Sequence, residues 1–414
     1  MADSAKKGAW GGLLAEGWRL SGWPVAAAAV LLAPSASAQI SSGARSDAMG
    51  GAGVASALPT AAAFVNPALT RFRDEAIGLS VVAPFVTVTA RDPEELLNAL
   101  DEFQSTLSTL EALVAAGDPT AATLRPFAAS QLAGLGSSAI DVTADTGIAV
   151  LIPNVDYTVT LSARTRVDAR ALPFIDPSDV ATISDLNSTS ADLDSLLSEA
   201  GVVGASVTEF GATFAIEGEI NGHRISAGLT PKAQWIETYN YSTGVTSFED
   251  GSVLDEFRSA PYRNHFNDYN VDLGIAYELQ PGATVGLAAL NVLRDSYTTV
   301  NQGGREFTYW IEPRPTAGIA LSQLGFTFTA DLDLIKTTRF RGIGDSQFLR
   351  MGFEYDAFGW GQLRAGFSHD FINTIQDVFT FGLGVSPAET VRLDLAGQLG
   401  NHSLGAALQL SLTL

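Results

Sequence analysis

Apolar and polar residues alternate along most of the chain, most clearly toward the C-terminus. From Phe326 to Asp333, aromatic and aliphatic residues occupy every second position, with threonines and aspartates between them. From Leu404 to Leu414, leucine or alanine again stands at every second position. Because successive side chains of a β-strand point to opposite faces, this pattern predicts strands with one apolar face and one polar or small face.

Short turn signals separate these segments, among them Gln280-Pro281-Gly282 and Ser386-Pro387-Ala388, and predict hairpins between antiparallel neighbours. There are about 14 segments (range about 12–16) of about 9–13 residues, near the ~9–11 tilted residues that cross a bilayer and longer than ordinary strands. We therefore predict an all-β membrane fold, a closed antiparallel transmembrane β-barrel over residues 76–414, with its apolar face toward lipid. A soluble sandwich, which turns the apolar face inward, is the alternative that alternation alone leaves open.

Two stretches break the strand pattern, at about residues 92–136 and 176–200. Asp92-Pro93 supplies a cap and a first-turn proline, and apolar residues then recur every three or four positions. Asp176-Pro177 opens the second stretch in the same way. These stretches predict helical insertions between strands, which form either a functional cap or an amphipathic layer packed on the barrel rim.

The first 38 residues have the three parts of a secretory signal. Lys6, Lys7 and Arg19 precede a short apolar run, and Ala36-Ser37-Ala38 offers a small-residue cleavage site. The run is too short to span a bilayer, and Pro34 would end a helix there. We expect residues 1–38 to be a signal peptide that is removed on export.

Composition narrows the functional classes. The 24 Lys and Arg against 45 Asp and Glu give a net charge of −21, which argues against nucleic acid as a partner. The absence of Cys excludes disulfides, thiolate metal sites and a cysteine nucleophile. The four His show no paired metal-ligand spacing, and Asn401-His402-Ser403 fits a hairpin turn as well as it fits a catalytic pair. We therefore expect no enzyme activity, no metal and no cofactor.

Charged residues on the polar faces of predicted strands are candidates for the lumen. A charged side chain facing lipid costs about 2–4 kcal/mol at the bilayer midplane, so such residues should point inward or lie near a rim. They either line a polar channel or hydrogen-bond an internal plug, and opposite signs in one small lumen favour the plug. The predicted lumen residues are Arg164, Arg166, Asp331, Asp333, Arg392 and Asp394.

The segment before the first strand carries a family resemblance. It contains Ala44-Arg45-Ser46, then Met49-Gly50-Gly51-Ala52-Gly53-Val54, and later Asn66-Pro67-Ala68. This opening resembles the start of FadL-like outer-membrane barrels, and the whole layout is similar to the TraF-type conjugal transfer proteins. The resemblance implies that residues 39–75 fold into the barrel as a hatch or plug, with a weakly ordered periplasmic tail as the alternative. The implied hatch residues are Gly50, Gly51, Gly53, Asn66, Pro67 and Ala68.

The same resemblance implies location in the outer membrane of a Gram-negative cell and passive, FadL-like uptake of hydrophobic small molecules through a hatch-plugged lumen. The alternative is a non-transporting structural barrel that serves conjugal transfer or secretion machinery. The expected partners are outer-membrane lipid, a hydrophobic small-molecule ligand, transfer-apparatus proteins and the barrel-assembly machinery. The chain departs from many outer-membrane barrels at Leu414, where those proteins end in an aromatic assembly signal.

Overall fold

The computed structural model describes residues 43–72, 78–245, 260–340, 344–357, 359–388 and 390–414. The predicted signal peptide, residues 1–38, lies outside the described residues, as do residues 39–42 and 73–75 of the predicted hatch. Within the described ranges, fourteen antiparallel strands form one closed barrel, which confirms the predicted fold class.

The fourteen strands of the barrel follow one another around it in chain order, and four short strands lie outside it. The described ranges thus contain eighteen strands. They are β1 (Ser80–Arg91), β2 (Ile140–Pro153), β3 (Tyr157–Phe174), β4 (Glu199–Ile220), β5 (His223–Gly244), β6 (Arg263–Gln280), β7 (Ala283–Leu290), β8 (Asp295–Thr298), β9 (Thr308–Ile311), β10 (Arg314–Gln323), β11 (Phe326–Asp333), β12 (Thr337–Thr338), β13 (Asp345–Ser346), β14 (Phe348–Ala357), β15 (Gly361–Asp370), β16 (Val378–Ala388), β17 (Val391–Gly400) and β18 (Ser403–Thr413). The β8–β9 and β12–β13 pairs are separate two-stranded sheets. The ring closes where β1 pairs with β18, with Ser80 opposite Thr413.

The outer face of the barrel is apolar and exposed, and the inner face is polar and buried. In β16, Phe379 and Phe381 expose 63% and 52% of their surface, whereas Thr380 between them exposes 3%. In β18, Leu408 exposes 45% and its neighbour Gln409 exposes 1%. A soluble sandwich would bury its apolar face, so the closed barrel excludes that alternative. An exposed apolar band around a closed barrel is the surface that acyl chains cover in membrane barrels.

The two ends of the barrel differ in the length of their connections. At the first, which we call the turn end, tight hairpins such as residues 221–222 and 281–282 join the strands. At the second, the loop end, most connections are longer and include residues 92–139 and 291–313, whereas residues 401–402 form a tight turn. The same contrast between short turns at one end and longer loops at the other is typical of membrane barrels.

Six α-helices lie in the described ranges. They are α1 (Ala44–Ala48), α2 (Pro59–Ala62), α3 (Leu96–Ala115), α4 (Ala121–Leu135), α5 (Pro177–Ser184) and α6 (Ser190–Asp194). Helices α3 to α6, here called the helical cap, stand at the loop end and share a core that includes Phe103, Leu107, Leu132, Ile183 and Leu193. None of the helices that the structure describes has the length and apolar character needed to cross a membrane.

Helix α3 begins later than its sequence predicts. Pro93 is expected in the first turn, but the helix begins at Leu96, because Glu95 adopts a left-handed backbone with φ of 52°. The Asp92 carboxylate still accepts a hydrogen bond from the Leu96 N–H at 2.7 Å. Pro93 therefore precedes the helix and is not part of its first turn.

Candidate functional site in the barrel lumen

Residues 43–72, here called the luminal segment, fill the interior of the barrel. The Thr87 hydroxyl of β1 donates to the Asp47 carboxylate at 2.7 Å. The Asn66 amide donates to the Ile275 carbonyl of β6 at 3.2 Å, five strands away around the ring. Because the barrel is closed and the segment touches widely separated strands from the inside, it lies across the lumen.

Glycines on the inner face of the wall form two seats for this segment. In the first seat, Gly352 and Gly366 are direct partners on β14 and β15. A Cβ atom added to Gly366 would lie 2.1 Å from the Gly50 nitrogen, and one added to Gly352 would lie 2.4 Å from the Met49 Cβ. Only glycine allows the two backbones to approach this closely.

The second seat lies further around the wall, on β5, β6, β7 and β10. Gly228 and Gly274 are partners on β5 and β6, and both lie against the backbone of the Asn66-Pro67-Ala68 turn. Gly286 and Gly318 are partners on β7 and β10 and lie against Val54. Any side chain at these wall positions would displace the luminal segment.

The implied hatch residues Gly50, Gly51 and Gly53 lie in the first part of the luminal segment. The Gly50 N–H donates to the Thr380 hydroxyl at 2.8 Å, and the Gly53 N–H donates to the Asp331 carboxylate at 2.7 Å. Gly50 and Gly51 have φ of 69° and 82°, in the left-handed region that favours glycine. The sharp bend they make turns the chain across the lumen.

Asn66, Pro67 and Ala68 form the second contact region. The Asn66 amide donates to the Val54 carbonyl at 2.8 Å, and its carbonyl oxygen accepts from the Ala68 N–H at 3.1 Å. The Ser226 hydroxyl of β5 donates to the Ala68 carbonyl at 2.8 Å. Pro67 begins a 3₁₀ turn, Pro67–Thr70, that lies over the glycines of β5 and β6. The asparagine thus satisfies backbone groups that are buried away from water.

The predicted lumen residues Asp331 and Asp333 lie next to each other on the inner face of β11 but have different partners. Asp331 accepts hydrogen bonds from the N–H groups of Gly53 and Val54, at 2.7 and 2.9 Å, and so holds the luminal segment. Asp333 forms a bidentate pair with Arg350 of β14, at 2.8 and 2.9 Å, within the wall. Asp331 therefore binds the luminal segment, whereas Asp333 links two strands of the barrel wall.

Arg392 and Asp394 belong to a buried charge cluster that reaches the luminal segment through Glu354. Arg45 makes a bidentate pair with Glu354, at 2.9 and 2.7 Å. Arg364 also donates to Glu354, at 2.6 Å, and lies 2.9 Å from Asp394. Arg392 pairs with Asp394 at 3.0 Å. The cluster, with three cations and two anions, ties the luminal segment to β14, β15 and β17.

Arg164 and Arg166 lie apart from that cluster, on the inner face of β3. Arg164 pairs with Asp145 of β2 at 2.9 Å, and Arg166 makes a bidentate pair with Asp168 at 2.9 and 3.0 Å. The Tyr309 hydroxyl donates to Asp168 at 3.0 Å. Burial and the adjacent Asp168 raise the pKa of Tyr309 well above its ordinary value, so this hydroxyl remains a neutral donor.

A partly open chamber of about 100 Å³ lies between the luminal segment and the β8–β9 hairpin. Phe64 of the luminal segment bounds one side, and Tyr309, Trp310 and Ile311 of β9 bound another. The hairpin is held over the lumen by packing of Tyr297, Tyr309 and Ile311, together with Phe340 after β12, on Val203, Val207 and Ile236 of the wall. The chamber is lined by both charged and apolar side chains, and its size suits a single small molecule or a group of waters.

Sequence reasoning missed Arg45, Glu354 and the paired wall glycines as site residues. Arg45 stands 309 positions before Glu354, and nothing in the local sequence of either residue points to the other. Glu354 and Arg364 do lie on the polar faces of strands with period-two alternation, which is the signal that identifies the other lumen charges.

The family model described as "F plasmid transfer operon, TraF, protein" matches residues 63–333. The fold is similar to that of "TodX deltaS2S3 mutant monoaromatic hydrocarbon channel", with a TM-score of 0.55, 13% identity, and coverage of 90% of this chain and 99% of that chain. It is also similar to the toluene transporter TbuX of Ralstonia pickettii, with a TM-score of 0.51, 13% identity, and coverage of 90% and 98%. No curated protein matches the chain in sequence. These likenesses confirm the predicted FadL-like barrel as a fold.

Proposed function

The chain belongs to the TraF family matched above, and we propose that it is an outer-membrane barrel that takes up small molecules passively, with the luminal segment as its hatch. In this proposal the molecules are small and largely apolar. The exposed apolar outer face and the contrast between short and long connections support placement in an outer membrane. The expected signal peptide supports export of the chain.

The chamber is the observation that carries this proposal. Two of its boundaries, the luminal segment and the β8–β9 hairpin, are not parts of the wall, so a molecule enters or leaves when either moves. The luminal segment is attached by discrete contacts, namely the glycine seats, the bonds of Asp331 and the Arg45–Glu354 pair. Such a segment can leave its seat without unpairing any strand of the barrel.

A reversible cross-link tests the hatch directly, because the natural chain has no Cys. The hydroxyls of Ser56 in the luminal segment and Thr329 on β11 are 3.1 Å apart, so Ser56→Cys with Thr329→Cys should form a disulfide on oxidation. We expect oxidation to stop toluene flux into vesicles that contain the full barrel, and a reductant to restore the flux.

The matched control joins two wall strands outside the lumen. Thr165 and Thr208 are direct partners on β3 and β4, with hydroxyls 3.0 Å apart. Thr165→Cys with Thr208→Cys should leave flux unchanged in both redox states. If the cross-linked luminal segment passes toluene as fast as the reduced form, the segment is not a hatch.

The helical cap favours a second candidate function, an assembly role for a barrel that serves transfer machinery. Its acidic surface carries exposed apolar side chains, with Leu97 48% and Phe127 54% exposed, that the barrel does not cover. In this role Leu97→Ser with Phe127→Ser would abolish assembly into a larger complex and leave flux unchanged. Unaltered complex formation in cells that carry this variant would contradict the assembly role.

A further inference from the structure

The chamber in the lumen has the chemistry of a site for a small anion that also has an apolar part. Its apolar boundaries are Phe64 of the luminal segment, Leu290 at the end of β7, and Trp310 and Ile311 of β9. Among the residues that the structure describes, the rest of its lining comprises eight charged side chains, seven uncharged polar ones, and Ala63, Val207 and Gly211. A purely apolar molecule would take water away from any charged group there that has no protein partner, which is costly.

Most cations of the chamber already have carboxylate partners. Lys232 lies 2.9 Å from both Glu209 and Asp272. Arg166 is paired with Asp168, and Arg164 is paired with Asp145. Arg339 shares Asp168 with Arg166, so these four cations face four carboxylates and do not by themselves require a ligand.

Arg314, the first residue of β10, differs from the other cations of the chamber. It lines the chamber, yet it makes no hydrogen bond or ion pair with any residue that the structure describes. Its Nε atom is buried and has no partner. The negative charge of Asp333 on the adjacent strand acts on Arg314, but this carboxylate already accepts hydrogen bonds from Arg350, Thr316 and the Phe348 N–H.

We propose that the chamber binds a small organic anion, a single apolar ring or short chain with one carboxylate, and that Arg314 receives the carboxylate. A guanidinium matches a carboxylate in planar, two-pronged geometry, and the pair is strong where water is excluded. The apolar part then lies against Phe64, Leu290 and Trp310. The proposal refines the substrate class of the proposed uptake function, but binding in the chamber does not require that transport occurs.

The test uses the full barrel in detergent micelles and titrates it with benzoate and with benzamide, a neutral molecule of the same shape. Binding is followed by calorimetry. We expect benzoate to bind more tightly than benzamide or acetate. Arg314→Gln should weaken benzoate binding by roughly 10- to 100-fold, as the loss of charge-assisted hydrogen bonds predicts, and should leave benzamide binding unchanged.

Arg263→Gln is the matched control, because Arg263 is a half-exposed arginine at the start of β6 that does not line the chamber. It should leave benzoate binding unchanged, and circular dichroism should show both variants folded as β-barrels. Equal affinity for benzoate and benzamide, equal affinity for benzoate and acetate, or benzoate binding that survives Arg314→Gln would each overturn the proposal. Loss of toluene flux in cross-linked vesicles bears only on the hatch, so the two proposals fail separately.

Discussion

The buried pair between Arg45 and Glu354 should decide how often the luminal segment leaves its seat. Its two side chains expose only 8% and 12% of their surface. Arg45→Gln leaves Glu354 with Arg364 at 2.6 Å, so the remaining anion is still compensated. The expected cost is then that of lost charge-assisted hydrogen bonds, about 1.5–3 kcal/mol.

Glu354→Gln is a different perturbation of the same pair. It leaves Arg45, Arg364 and Arg392 around the single carboxylate of Asp394. Breaking a buried pair so that a charge stays uncompensated costs about 3–5 kcal/mol. The free energy that keeps the luminal segment seated should therefore fall more in Glu354→Gln than in Arg45→Gln, although both changes remove the same pair.

Thiol accessibility measures this free energy. Ser46 is 5% exposed in the luminal segment, and Ser46→Cys would be the only thiol of the chain. The rate of its reaction with a charged thiol reagent should rise roughly 10-fold or more in Arg45→Gln and at least about 100-fold in Glu354→Gln, at about 1.4 kcal/mol per factor of ten.

Arg71→Gln serves as the control, because Arg71 is the segment's other arginine and donates to one exposed carbonyl, that of Val155. Its expected effect is small, since an exposed hydrogen bond contributes little. Equal rates in Arg45→Gln and Glu354→Gln would refute the view that the surplus of cations around Glu354 sets the stability of the seat.

Three further predictions concern the seats and the helical cap. Gly366→Ala should expose the Ser46→Cys thiol, because a Cβ atom at position 366 would overlap Gly50. The control Gly218→Ala adds a Cβ atom in open space and should leave the thiol protected. Equal labelling of the two variants would contradict the glycine seat. Asp331→Asn should destabilise the seated segment by about 1–3 kcal/mol in the same assay, because one anionic acceptor serves two buried N–H groups, and unchanged labelling would contradict that role. Hydrogen bonds from Thr189 lower the pKa of Asp192, so the stability that this capping carboxylate gives to α6 should be lost as the pH falls below about 4. Hydrogen exchange of α6 should then become faster in the wild type but not in Asp192→Asn.

The faces of the wall strands could be read from the sequence, but the contents of the lumen could be read only in part. Period-two alternation placed Asp331, Asp333 and Asp394 on the inner face because side-chain direction is a local property of a strand. The β8–β9 hairpin escaped prediction, since its strands have only four residues each and owe their place to packing on β4 and β5. Tertiary contacts of that kind produce no periodic pattern in the sequence.

The glycine seats could be predicted in part from the sequence. They depend on the register between neighbouring strands, and in a hairpin this register follows from counting residues away from the turn. Gly352 and Gly366 stand seven residues before and after Gly359, and Gly274 and Ala288 stand seven residues before and after Pro281. In an antiparallel hairpin, residues equidistant from the turn are partners, so small residues at one distance from successive turns form a belt at one height. The sequence of a single wall strand therefore does not reveal the seat. The seat can be recognised when the strands are aligned by their distance from the turns and the small residues are compared. The luminal segment, with small residues of its own such as Gly50 and Gly53, packs against the wall glycines of that belt.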